Sequence, residues 1–251
     1  MSNAKDEDDG KWTRRLSTWA RTLAILGLII AIIGVTLGRY DVVPKLVGFG
    51  GLALGGLVAL VAFVLGVIGL LLGLRHRSPA RGRAILAIVL SLPFVAFIAT
   101  RPALSGKVPA IHDITTDLAN PPAFTKLPLR ADNLAGVGTV DNWRKIHAAA
   151  YGDIKTVRIA RAPAQVIANA ARIAKENGWE IALNDPTAGK LEATASVSFI
   201  RFHDDIAVRA TSADNGTASI VDVRSVSRIG VSDMGVNAKR IRSFLAQLQG
   251  A

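Results

Sequence analysis

Hydrophobic and polar positions divide this chain into two parts. Residues 22–100 are almost entirely apolar, with continuous runs at Thr22–Gly38, Leu46–Leu74 and Ala84–Thr100. Because roughly 20 helical residues cross the hydrocarbon core of a bilayer, we predict three transmembrane helices, with the first and third runs near the short limit. A signal peptide is the alternative for the first run, but its long leader and the lack of an A-x-A cleavage site favour a retained helix.

Basic residues flank these runs unequally. Only Arg39 and Lys45 lie between the first and second runs, whereas more basic residues precede the first run and follow the second. Because loops rich in Lys and Arg stay in the cytoplasm, leader 1–21 and loop 75–83 are expected inside the cell. We predict a multi-pass protein of the bacterial inner (plasma) membrane, with residues 101–251 in the periplasm. The inside residues would be Lys5, Lys11, Arg14, Arg15, Arg21, Arg75, Arg77, Arg81 and Arg83.

Glycines recur four positions apart in the apolar runs, at Gly34/Gly38, Gly51/Gly55 and Gly69/Gly73. Such spacing lets helix backbones approach one another closely. We interpret it as packing among the protein's own three helices, with self-association or a protein partner as the alternative. Membrane lipids are the other expected partner. The runs carry no ionisable residue at membrane depth, which argues against a transport pathway.

The second part has the pattern of an α+β domain. Segments of helical and strand period alternate, with turn signals between them. A proline-rich strap at 101–124 comes first, and turns are predicted at 203–205 ("HDD") and 213–216 ("ADNG"). The order of elements predicts an antiparallel sheet with two packed helices on one face. The elements are a short helix near Asp141–Tyr151, a strand at Lys155–Ala160, a helix at Pro163–Asn177, strands at Trp179–Leu183, Leu191–Arg201, Ile206–Thr211 and Ala218–Arg224, and a helix at Gly235–Gln249.

Strict alternation in these strands assigns residues to the two faces of the sheet. The face toward the helices would carry apolar side chains, at Leu191, Val197, Phe199, Ile206, Val208, Val221 and Val223. The other face would carry polar side chains, at Glu192, Thr194, Ser196, Ser198, Arg209, Asp222 and Arg224. One interpretation is a solvated face with cross-strand ion pairs. The alternative is a platform, covered by residues 101–153, that binds an anionic or sugar-like ligand.

Two groups of His and Asp residues are candidate metal ligands. His112, Asp113 and Asp117 lie in the stretch "VPAIHDITTDLANPPAF" at 108–124, and the second group is His203, Asp204 and Asp205. Together they would suit zinc, manganese or iron. Neighbouring His and Asp residues are not a recognised ligand spacing, however, and Asp beside Thr, Asn and Pro is typical of turns and caps. We therefore expect no metal and no other cofactor, and keep both groups as binding candidates.

Arginines mark a further candidate region at 221–245. The region carries four arginines and two aspartates, which could form an ion-paired loop that docks the last helix, with Asp233 as its cap. They are Arg224, Arg228, Arg240, Arg242, Asp222 and Asp233. The alternative is capture of a phosphate or lipid headgroup by paired arginines.

Composition excludes several classes of function. The chain has no cysteine, which excludes disulfides, thiolate catalysis and Cys-ligated zinc. Its net charge is +11, but no dense basic stripe with stacking aromatics is present, so we expect no nucleic acid partner. Ser225 and Ser227 lie near Asp222 and could recruit His203, but no G-x-S-x-G nucleophile elbow accompanies them.

Three blocks of sequence resemble a known family. They are "IHDITTDLANPPAF", "IRFHDDIAVRA" and "SIVDVRSVSRIGVSDMGVNAKRIRSFL". Together they are similar to the uncharacterised family catalogued as domain of unknown function 1499, over roughly residues 105–249, in its form with N-terminal membrane helices. The resemblance implies that these residues form one domain. It implies no reaction, cofactor or ligand.

The main hypothesis is a non-enzymatic integral inner-membrane protein that presents a periplasmic binding or interaction domain. One alternative is an envelope enzyme, metal-dependent through the His and Asp groups. The other is an accessory subunit of a membrane complex. Convergence of the candidate side chains in one pocket would distinguish the enzyme from the binding domain.

Overall fold

The structure is a computed structural model that describes residues 2–76, 78–105 and 108–251, without the side chains of 2–9, 98 and 101–105. It divides into two compact units. The first comprises residues 1–106 with Phe199–Arg201, and the second comprises the remainder. The predicted cytoplasmic residue Arg77 and the side chain of Lys5 lie outside the described part, as do residues 106 and 107 of the predicted strap.

The first unit is built on three helices, α1 (Ser2–Arg39), α2 (Lys45–Arg75) and α3 (Arg81–Ser105). Two segments, Gly10–Arg39 and Lys45–Arg75, are long and apolar enough to cross a membrane. They indicate membrane association. The third predicted run is helical within α3, but α3 does not meet the same test among the described residues. Its apolar run is near the lower limit of a membrane span and is interrupted by Ser91 and Pro93.

Facing glycines bring α1 and α2 into close contact. A Cβ atom added to Gly34 would lie 2.7 Å from the Cα atom of Gly51, and one added to Gly48 would lie 2.7 Å from the Cα atom of Gly38. Real side chains do not tolerate such distances, so the two backbones approach as they do only where both residues are small. The glycine pairs of the first two runs thus pack the chain's own helices, as the sequence predicted.

The second unit consists of one antiparallel sheet and the helices around it. The elements are β1 (Asp113–Thr115), α4 (Val140–Ala150), β2 (Val157–Ile159), α5 (Pro163–Glu176), β3 (Glu180–Asp185), β4 (Lys190–Val197), β5 (Phe202–Ala213), β6 (Ala218–Ser227) and α6 (Val236–Gly250). The strand order in the sheet is β1-β6-β5-β4-β3, with β2 also paired to β6. Helices α5 and α6 pack on one face of the sheet, and α4 precedes β2 in the chain. This arrangement confirms the predicted α+β class.

The hydrophobic core lies between the sheet and the two helices. Side chains of α5 and α6 such as Ile167 and Phe244 pack against strand residues of the predicted inner face, including Leu191, Ile206 and Val221. All five are almost fully buried. The period-2 alternation therefore assigned the inner face of β4, β5 and β6 correctly.

One predicted turn and one predicted core residue were wrong. The residues His203–Asp205 do not turn the chain but lie inside β5. The turn comes earlier, where Ser198 and Arg201 have positive φ angles of 63° and 61°. Phe199, expected in the core, is 72% exposed because β4 ends at Val197. The "ADNG" turn is confirmed by a 3₁₀ turn at Asp214–Gly216.

Candidate functional site

The polar face of the sheet is covered by an irregular segment at residues 116–134. It overlaps only the second part of the strap predicted at 101–124, whose residues 101–105 are helical in α3 and whose residues 113–115 form β1. From here on, the strap means residues 116–134. Glu192 is only 2% exposed and Asp222 only 3%, although both lie on the face away from α5 and α6. The expectation of a solvated face was therefore wrong for these two residues, although Ser196 and Ser198 of the same face are exposed. The cross-strand ion pairs of that interpretation are present, as between Arg209 and Asp222, and the covering segment of the alternative is also observed. Burial of charged groups is costly unless each is paired or hydrogen-bonded, so their partners define the site.

Glu192 of β4 anchors the middle of the strap. Its carboxylate accepts hydrogen bonds from the backbone N–H groups of Thr125 (2.6 Å), Lys126 (3.0 Å) and Leu127 (2.7 Å), and from the Thr125 hydroxyl (2.6 Å). Burial raises the pKa of Glu192, but these hydrogen bonds outweigh it and hold the pKa below its ordinary value. The side chain is thus an ionised carboxylate that holds three consecutive amides.

Asp113 and Arg224 form a buried ion pair between β1 and β6. Two hydrogen bonds join them, from Arg224 Nε to Asp113 Oδ1 (2.9 Å) and from Nη2 to Oδ2 (2.6 Å). Asn133 Nδ2 also donates to Asp113 Oδ2 (2.6 Å), and the guanidinium lies over the ring of Phe124. This pair therefore contacts the strap near its middle, through Phe124, and near its end, through Asn133.

Arg209 of β5 connects two carboxylates. Its Nη2 donates to Asp222 Oδ2 (2.8 Å) and to Asp117 Oδ2 (3.1 Å). Asp222 Oδ1 accepts from the hydroxyls of Thr116 (3.0 Å) and Thr156 (2.5 Å). The same Asp117 accepts at Oδ1 from two backbone amides, of residues 119 and 120, and so shapes the first turn of the strap.

The neighbouring residues Asp204 and Asp205 point to opposite faces of the sheet. Asp205 Oδ2 accepts from Arg228 Nε (2.8 Å), and its Oδ1 accepts from the Thr194 hydroxyl (2.8 Å) on the polar face. Asp204 Oδ2 instead accepts from Arg240 Nη2 of α6 (2.7 Å). Each carboxylate is neutralised by its own arginine, which explains why two adjacent acidic residues are tolerated inside a strand.

A second polar network links α6 to the helix-covered face. Asn237 is fully buried, accepts a hydrogen bond from the Ser225 hydroxyl (2.7 Å), and donates to Ser227 Oγ (3.0 Å). Asp233 accepts from the amides of residues 235 and 237 and so caps the start of α6. The two serines considered as nucleophiles therefore hold a helix in place, on the face opposite to that of Asp222.

The two candidate histidines do not converge. The backbone oxygen of His112 accepts from the Ser227 amide (3.1 Å), so these two residues lie opposite one another on neighbouring strands. The Ser227 hydroxyl bonds to Asn237 of α6, and residues that lie opposite one another share a face of the sheet, so His112 is on the helix-covered face. His203 precedes Asp204 on β5, and the same alternation places it on the polar face. Within the described ranges, no group of three or more His, Asp or Glu side chains could hold a metal ion.

His112 is nevertheless an unusual side chain. It is 2% exposed, and neither ring nitrogen has a hydrogen-bond partner among the residues described. Burial and the nearby charge of Arg130 lower its pKa, so the ring is neutral near pH 7. The Asn133 Oδ1 atom likewise lacks a partner.

A pocket opens where the strap crosses β4 and β5. Its volume is about 180 Å³. Arg209 is the one sequence-predicted candidate in its wall. The other lining residues are Asn120, Pro121, Pro122, Ala123, Lys190, Leu191, Glu192, Ala207 and Val208.

Sequence reasoning missed most of this pocket. Lys190 pairs directly across from Arg209 in the β4–β5 register, so the two cations share the polar face. The alternation that identified Glu192 as a polar-face residue could have been extended two positions back to Lys190. The prolines of the strap carried no comparable signal, because their position over the sheet depends on long-range contacts.

Comparison with known proteins places the second unit in a family. The model of the family described as "Protein of unknown function (DUF1499)" matches residues 113–248, which is more than half of the chain. Among curated proteins, no sequence matches this chain. The matched segment begins at Asp113 and ends at Leu248, so it includes the strap, every strand of the sheet and all of α6 except its end. The chain therefore belongs to the DUF1499 family.

Proposed function

We propose that this chain is a multi-pass protein of the bacterial inner membrane that holds its α+β domain in the periplasm, where the domain binds a ligand or partner. The observation that carries this proposal is the uneven distribution of basic residues around the apolar helices. Arginines end α2 and begin α3, at Arg75, Arg81 and Arg83. At the other connection, Arg39 ends α1 and Lys45 begins α2, with no basic residue between them. Loops rich in arginine are retained in the cytoplasm.

The orientation of the domain depends on α3. If α1 and α2 alone crossed the bilayer, residues 108–251 would lie on the same side as the N-terminus. α3 extends over Arg81–Ser105, and its apolar run Ala84–Thr100 spans roughly 25 Å at about 1.5 Å per residue, close to the shortest length that crosses a bilayer. We therefore propose that α3 is a third crossing and that it exports the domain.

The way in which the charged groups of the domain are used argues against the enzyme alternative and leaves the binding role. The carboxylates of Asp113, Asp205, Asp222 and Glu192 are each engaged in several hydrogen bonds that hold the strap or the strands. An enzyme using the two His and Asp groups would need them in one place. Because the two histidines lie on opposite faces of the sheet, we do not propose that reaction.

Single introduced cysteines can test the orientation, since the chain has no cysteine of its own. Suitable positions are Val42 between α1 and α2, Gly82 at the start of α3, and the exposed Ala246 on α6. A maleimide that cannot cross the inner membrane is added to spheroplasts before and after lysis. We expect Val42→Cys and Ala246→Cys to be labelled in intact spheroplasts and Gly82→Cys only after lysis. Labelling of Ala246→Cys only after lysis would overturn the periplasmic assignment.

A further inference from the structure

We propose that the pocket beneath the strap binds a small oxyanion, a carboxylate or phosphate group, between Lys190 and Arg209. This proposal deepens the binding role proposed above by naming the chemistry of the ligand. It is argued from the second unit alone and does not depend on which side of the membrane the domain occupies.

Lys190 supplies the unpaired charge. Arg209, Arg224 and Arg228 are all held in ion pairs with aspartates. The side chain of Lys190, by contrast, makes no hydrogen bond or ion pair with any part of the chain that the structure describes, although the residue lines the pocket. An ammonium group in that position favours a negatively charged ligand.

Arg209 supplies further donors. The three hydrogen bonds that its side chain donates within the described ranges, to Asp222, Asp117 and the backbone oxygen of Asn120, all come from Nη2. Its Nε and Nη1 atoms donate to no acceptor in the described ranges. A guanidinium fixed on one side by carboxylates is thus preorganised to donate from its other nitrogens, and arginine donors match the geometry of carboxylate and phosphate oxygens.

The carboxylates near the pocket do not cancel this charge. Asp222 and Asp117 are each bound by Arg209 and by additional N–H or O–H donors, and Glu192 is bound by three strap amides and a hydroxyl. Their negative charge is therefore already stabilised within the fold. Asp185 lies across from Lys190 in the β3–β4 register, but its carboxylate accepts from the Ala188 amide (2.9 Å), forms no ion pair with Lys190 and does not line the pocket. The ammonium of Lys190 therefore has no ion-pair partner among the described residues.

The walls limit the size of the ligand. Ala207 leaves space on the sheet because its side chain is small, and Pro121, Pro122 and Ala123 form the apolar side. The pocket volume of about 180 Å³ corresponds to roughly six water molecules at about 30 Å³ each. A phosphate ion, or a carboxylate with a short carbon chain, fits this space, whereas a larger ligand would insert only its acidic end.

Titration calorimetry on the full-length protein in detergent tests the proposal with two probes, inorganic phosphate and succinate. We expect at least one probe to bind with a dissociation constant of about 1 mM or lower. Lys190→Met should weaken that binding at least about tenfold, because it removes a charge-assisted hydrogen bond. Lys190→Arg should retain most of the affinity, since it keeps the charge.

Lys175→Met is the matched control, because Lys175 is an exposed lysine on α5 that is not part of the pocket. It should bind the probe as the unaltered protein does. A stronger response to phosphate or to succinate identifies which oxyanion the pocket prefers. Binding of neither probe at about 10 mM, or equal binding by Lys190→Met and the unaltered protein, would overturn the proposal and leave the orientation of the domain unaffected.

Discussion

Glu192 and Thr125 are separated by 67 positions in the chain and are joined by two hydrogen bonds of 2.6 Å, one from the amide and one from the hydroxyl of Thr125. The amides of Lys126 and Leu127 bind the same carboxylate. Three consecutive amides at the middle of the strap are therefore held by a single side chain of the sheet. This attachment helps to position the outer wall of the pocket, because residues 120–123 lie just before the anchored amides in the chain.

Replacing Glu192 with Gln should detach the strap. The variant places an amide NH₂ group where three N–H donors converge, so we expect the free energy of unfolding to fall by about 2–3 kcal/mol. Chemical denaturation of the full-length protein in detergent measures the change, and limited proteolysis should show faster cleavage within 116–134. Glu176→Gln is the control, because Glu176 makes only an exposed pair with Arg172 and should contribute less than about 0.5 kcal/mol. Equal effects of the two substitutions would contradict this account.

Replacing Asp113 with Ala should lower the free energy of unfolding more than removal of an exposed carboxylate that pairs with an arginine. Arg224 would be left buried without its carboxylate, and loss of one partner of a buried pair costs about 3–5 kcal/mol. The exposed pair between Asp153 and Arg242 is the comparison, and Asp153→Ala should cost at most about 1 kcal/mol. Thermal unfolding of both variants checks the order, and a smaller loss for Asp113→Ala would show that the β1–β6 pair does not hold the strap.

The domain should lose stability in mild acid. Burial lowers the pKa of both His112 and His147 below the ordinary value of 6.5, so the unfolded chain binds more protons than the folded domain between the folded pKa and 6.5. Stability is then fully present above pH 6.5 and falls as the pH decreases through this window. His147 Nε2 also accepts a hydrogen bond from the Thr115 amide (3.1 Å), which a protonated ring cannot do.

Denaturation curves recorded between about pH 8 and pH 5 measure this loss, since the window begins at the ordinary histidine pKa. His147→Gln keeps an oxygen that can accept from Thr115 but removes one titrating group. We therefore expect the variant to show a smaller loss of stability over the same range. An identical pH profile for the variant and the unaltered protein would exclude a contribution from His147.

Replacing either of two adjacent glycines of α2 with a larger residue should change the stability of the protein by different amounts. A Cβ atom at Gly51 would lie 2.8 Å from the Cα atom of Gly34, whereas one at Gly50 would meet nothing within 4 Å. Gly51→Leu should therefore force the helices apart and lower stability by about 1–3 kcal/mol, while Gly50→Leu should be tolerated. Thermal unfolding in detergent compares them. If Gly50→Leu instead changed the oligomeric state, the outer face of α2 would be the surface for self-association.

Local pattern was sufficient for much of this fold. Alternation along β4 and β5 assigned Leu191 and Ile206 to the core, because a half-buried sheet fixes the face of every residue in a strand. The turn predicted at Asp204 and Asp205 was wrong. Aspartates are typical of turns, and these two are stable in a strand only through their ion pairs with Arg240 and Arg228. Those arginines lie far along the chain, so their pairing was not visible locally.

The candidate site was likewise predicted only in part from the sequence. Arg209, Asp222 and Asp117 were predicted, and the structure joins them in one network. Lys190 was not considered, because an isolated lysine in a strand is commonplace and its lack of a partner is a property of the folded domain alone. The pocket itself depends on where the strap crosses the sheet, and that path is fixed by hydrogen bonds such as those of Glu192.

The opposite orientations of Asp204 and Asp205 have a consequence for strand alignment. If β5 slipped by one residue in either direction, only one aspartate could still face an arginine, and either Arg228 or Arg240 would lose its partner. The same slip would turn Ile206 away from the core. The adjacent carboxylates thus help to fix the register of β5, because a shifted strand would lose both an ion pair and buried apolar surface and would be less stable than the native alignment.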